Sequence, residues 1–294
     1  MKLFAKTAAL AAILAMAATS VQAATIVVGG KNFTEQYLLA SMTAQLLKHD
    51  GFTVDKKDGM GSTVVRNAQV NGQVDVYWEY TGTSLVTYNK ISKPMNAKQT
   101  YDTVKKLDAK VGLTWLNPST ANNTYALAVK AKNPKTDKLK TLSDMAAAYK
   151  AGTHLHMAID AEFSKRPDGL PGLEKAYDFK VKRADISPMD PGLTYAALKN
   201  GQVDLALVFA TDGRIQAFNF RVLKDDKQFF PNYAIAPVVR TATLKANPGL
   251  AKPLNALSAK LSNKVMQKLN AEVDVDKKSV DTVAKAFLTK VGLI

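Results

Sequence analysis

The chain has 294 residues, of which 47% are hydrophobic, with no cysteine and a formal net charge of +15. That length and apolar content allow one large or two medium domains, and the absence of cysteine excludes a thiol nucleophile and a disulfide framework. The basic balance would suit a nucleic-acid partner, but the lysines scatter over predicted helix faces rather than forming a stripe, so they are read as solvated surface and no nucleic-acid partner is expected.

Residues 1–23 have the pattern of a cleaved signal peptide. Lys2 and Lys6 precede an uncharged Ala/Leu-rich stretch, and Val21-Gln22-Ala23 forms a small-x-small cleavage site. The apolar stretch is shorter than the roughly 20 residues a membrane span needs. Export to the periplasm is therefore expected, with Ala24 as the first mature residue and no cysteine there to carry a lipid.

Ile26-Val27-Val28-Gly29-Gly30 predicts a buried first strand, followed by a loop at Lys31-Asn32-Phe33. Thr34 is expected to cap a helix running to Leu47. A strand at 52–55 follows, then a helix capped by Ser62 or Thr63 and a strand ending at Tyr80. The order β-α-β-α-β predicts a parallel sheet with ligand groups beyond the carboxyl ends of its strands, which places Lys31, Thr63 and Tyr80 on one rim. Residues 101–111 read as a helix. The extended run 122–129, entering the polar stretch 130–134, marks a first passage between two lobes. A helix over 142–151, a strand over 156–159 and a loop over 163–172 open the second lobe. The extended run 233–240 is the expected return, and the helical tail should pack on the first lobe. The division expected is 24–125 with 238–294 in one lobe and 126–237 in the other.

The word Asn-Gly-Gln-Val-Asp occurs at 71–75 and again at 200–204, an offset of 129 residues. Each copy reads as a helix, an Asn-Gly turn and a buried strand. The first strand ends in Tyr80 and the second in Phe209, so two similar α/β halves are expected to present two rings to one ligand. No catalytic motif is present. His154 and His156 share a strand face but lack a third ligand, so neither a metal nor a cofactor is expected. The notable chemistry is aromatic: Tyr80, Tyr125, Phe209 and Tyr233 stand at strand ends and passages. A cage of ring faces suits a quaternary ammonium, which has no N–H to donate. Lys31 and Arg166 lie on the same rim and could hold a carboxylate. An exported binder of an amino acid or polyamine is the alternative, but such a site needs carboxylates facing the ligand's N–H groups. A transferase on this architecture would need a nucleophile–base pair, and none is evident.

Seven segments resemble one family closely: Gly30-Lys31-Asn32-Phe33-Thr34-Glu35-Gln36, Glu79-Tyr80-Thr81-Gly82-Thr83, Asn122-Asn123-Thr124-Tyr125-Ala126-Leu127, the loop 166–172, and the stretches 189–195, 211–214 and 236–240. They are similar to the OpuC/ProX-type substrate-binding proteins of ABC transporters for glycine betaine, carnitine and choline, over essentially the whole mature chain. The resemblance implies an α/β, two-lobe, class II-like periplasmic binding protein that holds its ligand in the interdomain cleft and delivers it to permease subunits, as a monomer. It implies an aromatic box at Tyr80, Tyr125, Phe209 and Tyr233, carboxylate-binding cations at Lys31 and Arg166, and Thr83 and Asn123 beside the ligand. Phe209 departs from the pattern, because family members carry tyrosine there.

Overall fold

The computed structural model describes residues 25–294, so the expected signal peptide lies outside the described residues. The first lobe begins with β1 (Ile26–Lys31), α1 (Thr34–His49), β2 (Val54–Met60), α2 (Ser62–Val70) and β3 (Val76–Tyr80). A one-turn helix α3 (Thr81–Thr83), then α4 (Ala97–Asp108) and β4 (Leu113–Trp115), complete this part. β1 is β-branched until Gly29, where the turn before β3 presses close: a Cβ there would lie 2.8 Å from Val74 Cγ1. The expected cap of α1 is different. Phe33 holds the N-cap position without a side-chain bond, and Thr34 Oγ1 donates instead to Asp274 at 2.8 Å.

The second lobe holds β5 (Tyr125–Lys130), α5 (Leu142–Lys150), β6 (Met157–Ile159), α6 (Leu170–Tyr177), β7 (Ile186–Pro188), α7 (Leu193–Lys199), β8 (Leu205–Phe209), α8 (Arg214–Ala217) and β9 (Phe220–Val222). The chain then returns as β10 (Ile235–Arg240), followed by α9 (Thr241–Ala246), α10 (Ala251–Ser258), α11 (Asn263–Asp274) and α12 (Val280–Lys290). The tail packs on the first lobe as expected: Ser41 Oγ on α1 donates to Asp281 Oδ1 on α12 at 2.6 Å.

Strand order is β2-β1-β3-β10-β4 in one sheet and β7-β6-β8-β5-β9 in the other. The two sheets are topological copies. β1, β2 and β3 run parallel, as do β6, β7 and β8, but β10 and β5 are antiparallel to their neighbours. The sheets are therefore mixed rather than wholly parallel. The added strands arrive from the opposite lobe and enter each sheet from the cleft end, which fixes their direction.

β5 pairs wholly within the second sheet, so of the expected passage run 122–129 the residues from Tyr125 onward belong to that sheet and the chain crosses just before them, at 122–124. Tyr125 stands in the second sheet, and Ile235 to Pro237 stand in the first. The two passages run side by side. Asn122 bridges Ala234, and Asn123 N donates to Tyr233 O at 3.2 Å.

The repeated word is the same structure twice. Gly72 and Gly201 take φ of +84° and +72°, a left-handed conformation that favours glycine. Asp75 Oδ2 accepts Val27 N at 2.9 Å, and Asp204 Oδ2 accepts His156 N at 2.9 Å. Asp75 thus ties its turn to β1, and Asp204 ties its turn to the residue that leads into β6. The largest apolar cluster continues through both lobes by way of Tyr80, Tyr125 and Tyr233.

Candidate binding site between the two sheets

Strand ends from both sheets and the two passages converge on a cavity of about 540 Å³. All eight expected site residues line it: Lys31, Tyr80, Thr83, Asn123, Tyr125, Arg166, Phe209 and Tyr233. Thr63 does not reach it; Ser62 does.

Strand pairing sets the rings. Tyr125 opens β5 opposite Phe209, the last residue of β8, and their centroids stand 5.5 Å apart. Tyr233 meets Tyr125 edge-on, also at 5.5 Å. Gly82 leaves room for Tyr233, since a Cβ there would lie 2.8 Å from its ring carbons. Phe33 is a ring that sequence reasoning left in a loop. It stacks on Phe209 with centroids 5.6 Å apart and on Tyr80 at 6.2 Å. Tyr80 and Phe209 therefore share a wall through Phe33 instead of facing each other alone. The signal was its position, directly beyond the end of β1.

Hydroxyl groups of two cage rings reach buried carboxylates. Tyr80 Oη donates to Glu35 Oε1 at 2.8 Å, and Tyr233 Oη donates to Asp168 Oδ2 at 2.7 Å. Burial, above all, pushes the Tyr80, Tyr125 and Tyr233 phenols up, so all three stay neutral.

The cations are engaged within the fold. Lys31 completes β1 instead of lying in a loop; it is 2% exposed, and its Nζ pairs with Glu79 Oε1 at 2.6 Å. The ammonium also lies 4.8 Å from the Tyr80 ring centroid. Arg166 Nε donates to Asp168 Oδ1 at 2.8 Å, and Nη2 donates to Asp168 and, at 3.1 Å, to Thr83 Oγ1. Nη1 has only Glu162 near it, at 3.6 Å. Asn123 Nδ2 donates to Glu35 Oε1 at 2.8 Å, and its Oδ1 accepts Thr211 N at 3.3 Å.

Asp160 and Glu162 also line the cavity, and sequence reasoning passed over both. Glu162, on the second lobe, accepts Ser62 N at the start of α2 at 2.8 Å. That helix has no cap of its own, so the expected cap at Ser62 or Thr63 comes from the opposite lobe. Burial pushes the Glu162 carboxyl up, but Lys31, the Ser62 N–H and Arg166 together outweigh it and hold it below its ordinary value. A wall of ring faces with a few fixed polar groups orients a small solute.

The family described as the substrate-binding domain of ABC-type glycine betaine transport systems matches residues 24–290. The chain belongs to this family. It is a substrate-binding protein of ABC transport, not an enzyme. A glycine-betaine-binding protein of Pseudomonas aeruginosa is 43% identical over 285 residues, covering 95% of this chain and 91% of that one. The carnitine transport binding protein OpuCC of Listeria monocytogenes is 37% identical over 271 residues, covering 90% and 86%. A crystal structure described as a glycine betaine/carnitine/choline ABC transporter superposes with a TM-score of 0.72 at 32% identity, covering 91% of this chain and 99% of that one. Its fold is the two-lobe fold described above.

Proposed function

We propose that the cavity takes up glycine betaine or a closely related quaternary ammonium solute in the periplasm, and that the protein, as a monomer, presents it to its permease. The observation that carries this is the ring wall: Phe33, Tyr80, Tyr125, Phe209 and Tyr233 surround one cavity. A methylated ammonium has no N–H for a carboxylate to accept, and a desolvated ring face contributes about 1–2 kcal/mol to holding it. The solute's carboxylate goes to Arg166, whose Nη1 edge is the least engaged, with the Thr83 hydroxyl beside it and the Lys31 charge behind. Asn123 holds the wall between Glu35 and Thr211. The lobes, divided at the two passages that precede Tyr125 and Ile235 rather than at 125/126 and 237/238, close about the solute.

Asp160 and Glu162 on the cavity wall favour a second reading, an amino acid or polyamine whose N–H groups they would accept. Calorimetry on ligand-stripped protein separates the two. Heat with glycine betaine, carnitine, choline or proline betaine, and none with amino acids or polyamines, is the expected result. No heat with any quaternary compound would sink the proposal.

A further inference from the structure

Glu35 has no part in the function as described so far. It stands in the first turn of α1, 2% exposed, behind the Tyr80 ring. Its recorded partners are all neutral donors: the Tyr80 hydroxyl and Asn123 Nδ2, each at 2.8 Å, the Thr211 hydroxyl, and Asn270 Nδ2 at 3.5 Å. The other buried carboxylates near the cage are matched differently. Glu79 takes Lys31, and Asp168 takes Arg166. A buried carboxylate ordinarily has a cation against it, because neutral donors only partly replace lost hydration. Here the polypeptide supplies four neutral donors, one of which belongs to a cage ring.

We propose that Glu35 is a positioning and specificity residue for the cation: its fixed negative charge, acting through the Tyr80 hydroxyl, makes the Tyr80 face more attractive to a quaternary ammonium than to a neutral group of the same shape. The inference rests on the reading that the cage holds such a cation. The physical basis is that an O–H bonded to a carboxylate polarises towards the phenolate, raising electron density on the ring face that a cation meets. Phe209 lacks a hydroxyl and Tyr125 has no recorded hydroxyl partner. Tyr233 reaches an aspartate that Arg166 already neutralises. Tyr80 is thus the cage ring whose hydroxyl meets a carboxylate with no ion pair of its own; the Lys31 ammonium 4.8 Å from its centroid is paired with Glu79.

The test uses the full mature protein with two ligands that differ by one atom: glycine betaine, and 3,3-dimethylbutyrate, in which carbon replaces the ammonium nitrogen. Calorimetric affinities are measured for wild type and Glu35→Gln, which keeps the size and removes the charge. The expected result is that betaine affinity falls about tenfold in the variant, while affinity for the carbon analogue changes by no more than about twofold. An equal fall for both ligands, or an unchanged ratio, would overturn the inference, because a structural role weakens both alike. If Glu35→Gln loses its cooperative unfolding transition, Tyr80→Phe carries the same readout. It keeps the ring and cuts the link, and it should lose the same preference; an unchanged ratio there overturns the inference as well. A wild-type protein that does not prefer betaine over its carbon analogue would overturn the functional reading itself, so the two failures are distinguishable.

Discussion

Asp75 and Asp204 occupy the same place in the two halves of the molecule. Asp75 accepts the N–H of Val27 in β1 and Asp204 that of His156, just before β6, at the same distance, each after a turn whose glycine is left-handed. Five residues further on, the halves part. β3 ends in Tyr80, nearly buried and bonded to Glu35, whereas β8 ends in Phe209, half-buried and without a hydroxyl. The same divergence appears at the ends of the equivalent strands β1 and β6, with Lys31 in one half and Asp160 in the other. Lys31 is locked to Glu79, while Asp160 accepts Phe163 N at 2.7 Å and has no recorded ion pair. A duplicated scaffold thus ends equivalent strands differently: a buried Tyr80 and an ion-paired Lys31 in one half, a half-buried Phe209 and a backbone-bonded Asp160 in the other. Turn chemistry is kept because both sheets need it.

The largest test of that contrast is Lys31→Met. It leaves Glu79 buried with only the Tyr77 hydroxyl and the Tyr80 N–H, and should cost about 3–5 kcal/mol in urea unfolding. Asp160→Asn should cost far less, and equal losses would remove the asymmetry. Next, Asp75→Ala and Asp204→Ala each strip the acceptor from a strand N–H, and each should cost about 1–3 kcal/mol. The first should cost more, because Asp75 also takes the Thr243 hydroxyl. In binding, Tyr80→Ala should weaken betaine affinity by about 1–2 kcal/mol or more, and Phe209→Ala by less, measured calorimetrically. Unaltered affinity in Tyr80→Ala would place that ring in the core instead.

The smallest effect is in acid. Glu162 joins the lobes through Ser62 N, and its carboxyl is held below its ordinary value of 4.5 in the folded protein. Its contribution to stability is therefore present above that value and is lost as pH falls through the lowered one. The wild-type advantage over Glu162→Gln in melting temperature should be seen near neutrality and vanish in acid. An advantage that persists in acid would show that the cross-cleft cap contributes nothing through its charge.

Much of this was legible along the chain. The repeat could be read because Asn-Gly turns and short apolar strands are local, set by φ and by period. Tyr80 and Phe209 could be found because parallel strands place their last residues on one rim. Phe33 was passed over because a single ring in a loop has no period to betray it. Lys31 read as an open cation because its partner, Glu79, lies 48 residues away and only the pairing of β1 with β3 brings them together.

By itself the sequence determined two similar α/β halves, their turns and the rings at their strand ends, since each depends on neighbours a few residues apart. The tertiary structure alone decided which charges are spent inside the fold, that β5 and β10 run antiparallel, that Glu162 caps a helix in the opposite lobe, and that Glu35 stands behind Tyr80. Those depend on contacts between residues distant in the chain, and burial turns such contacts from solvated charges into fixed ones.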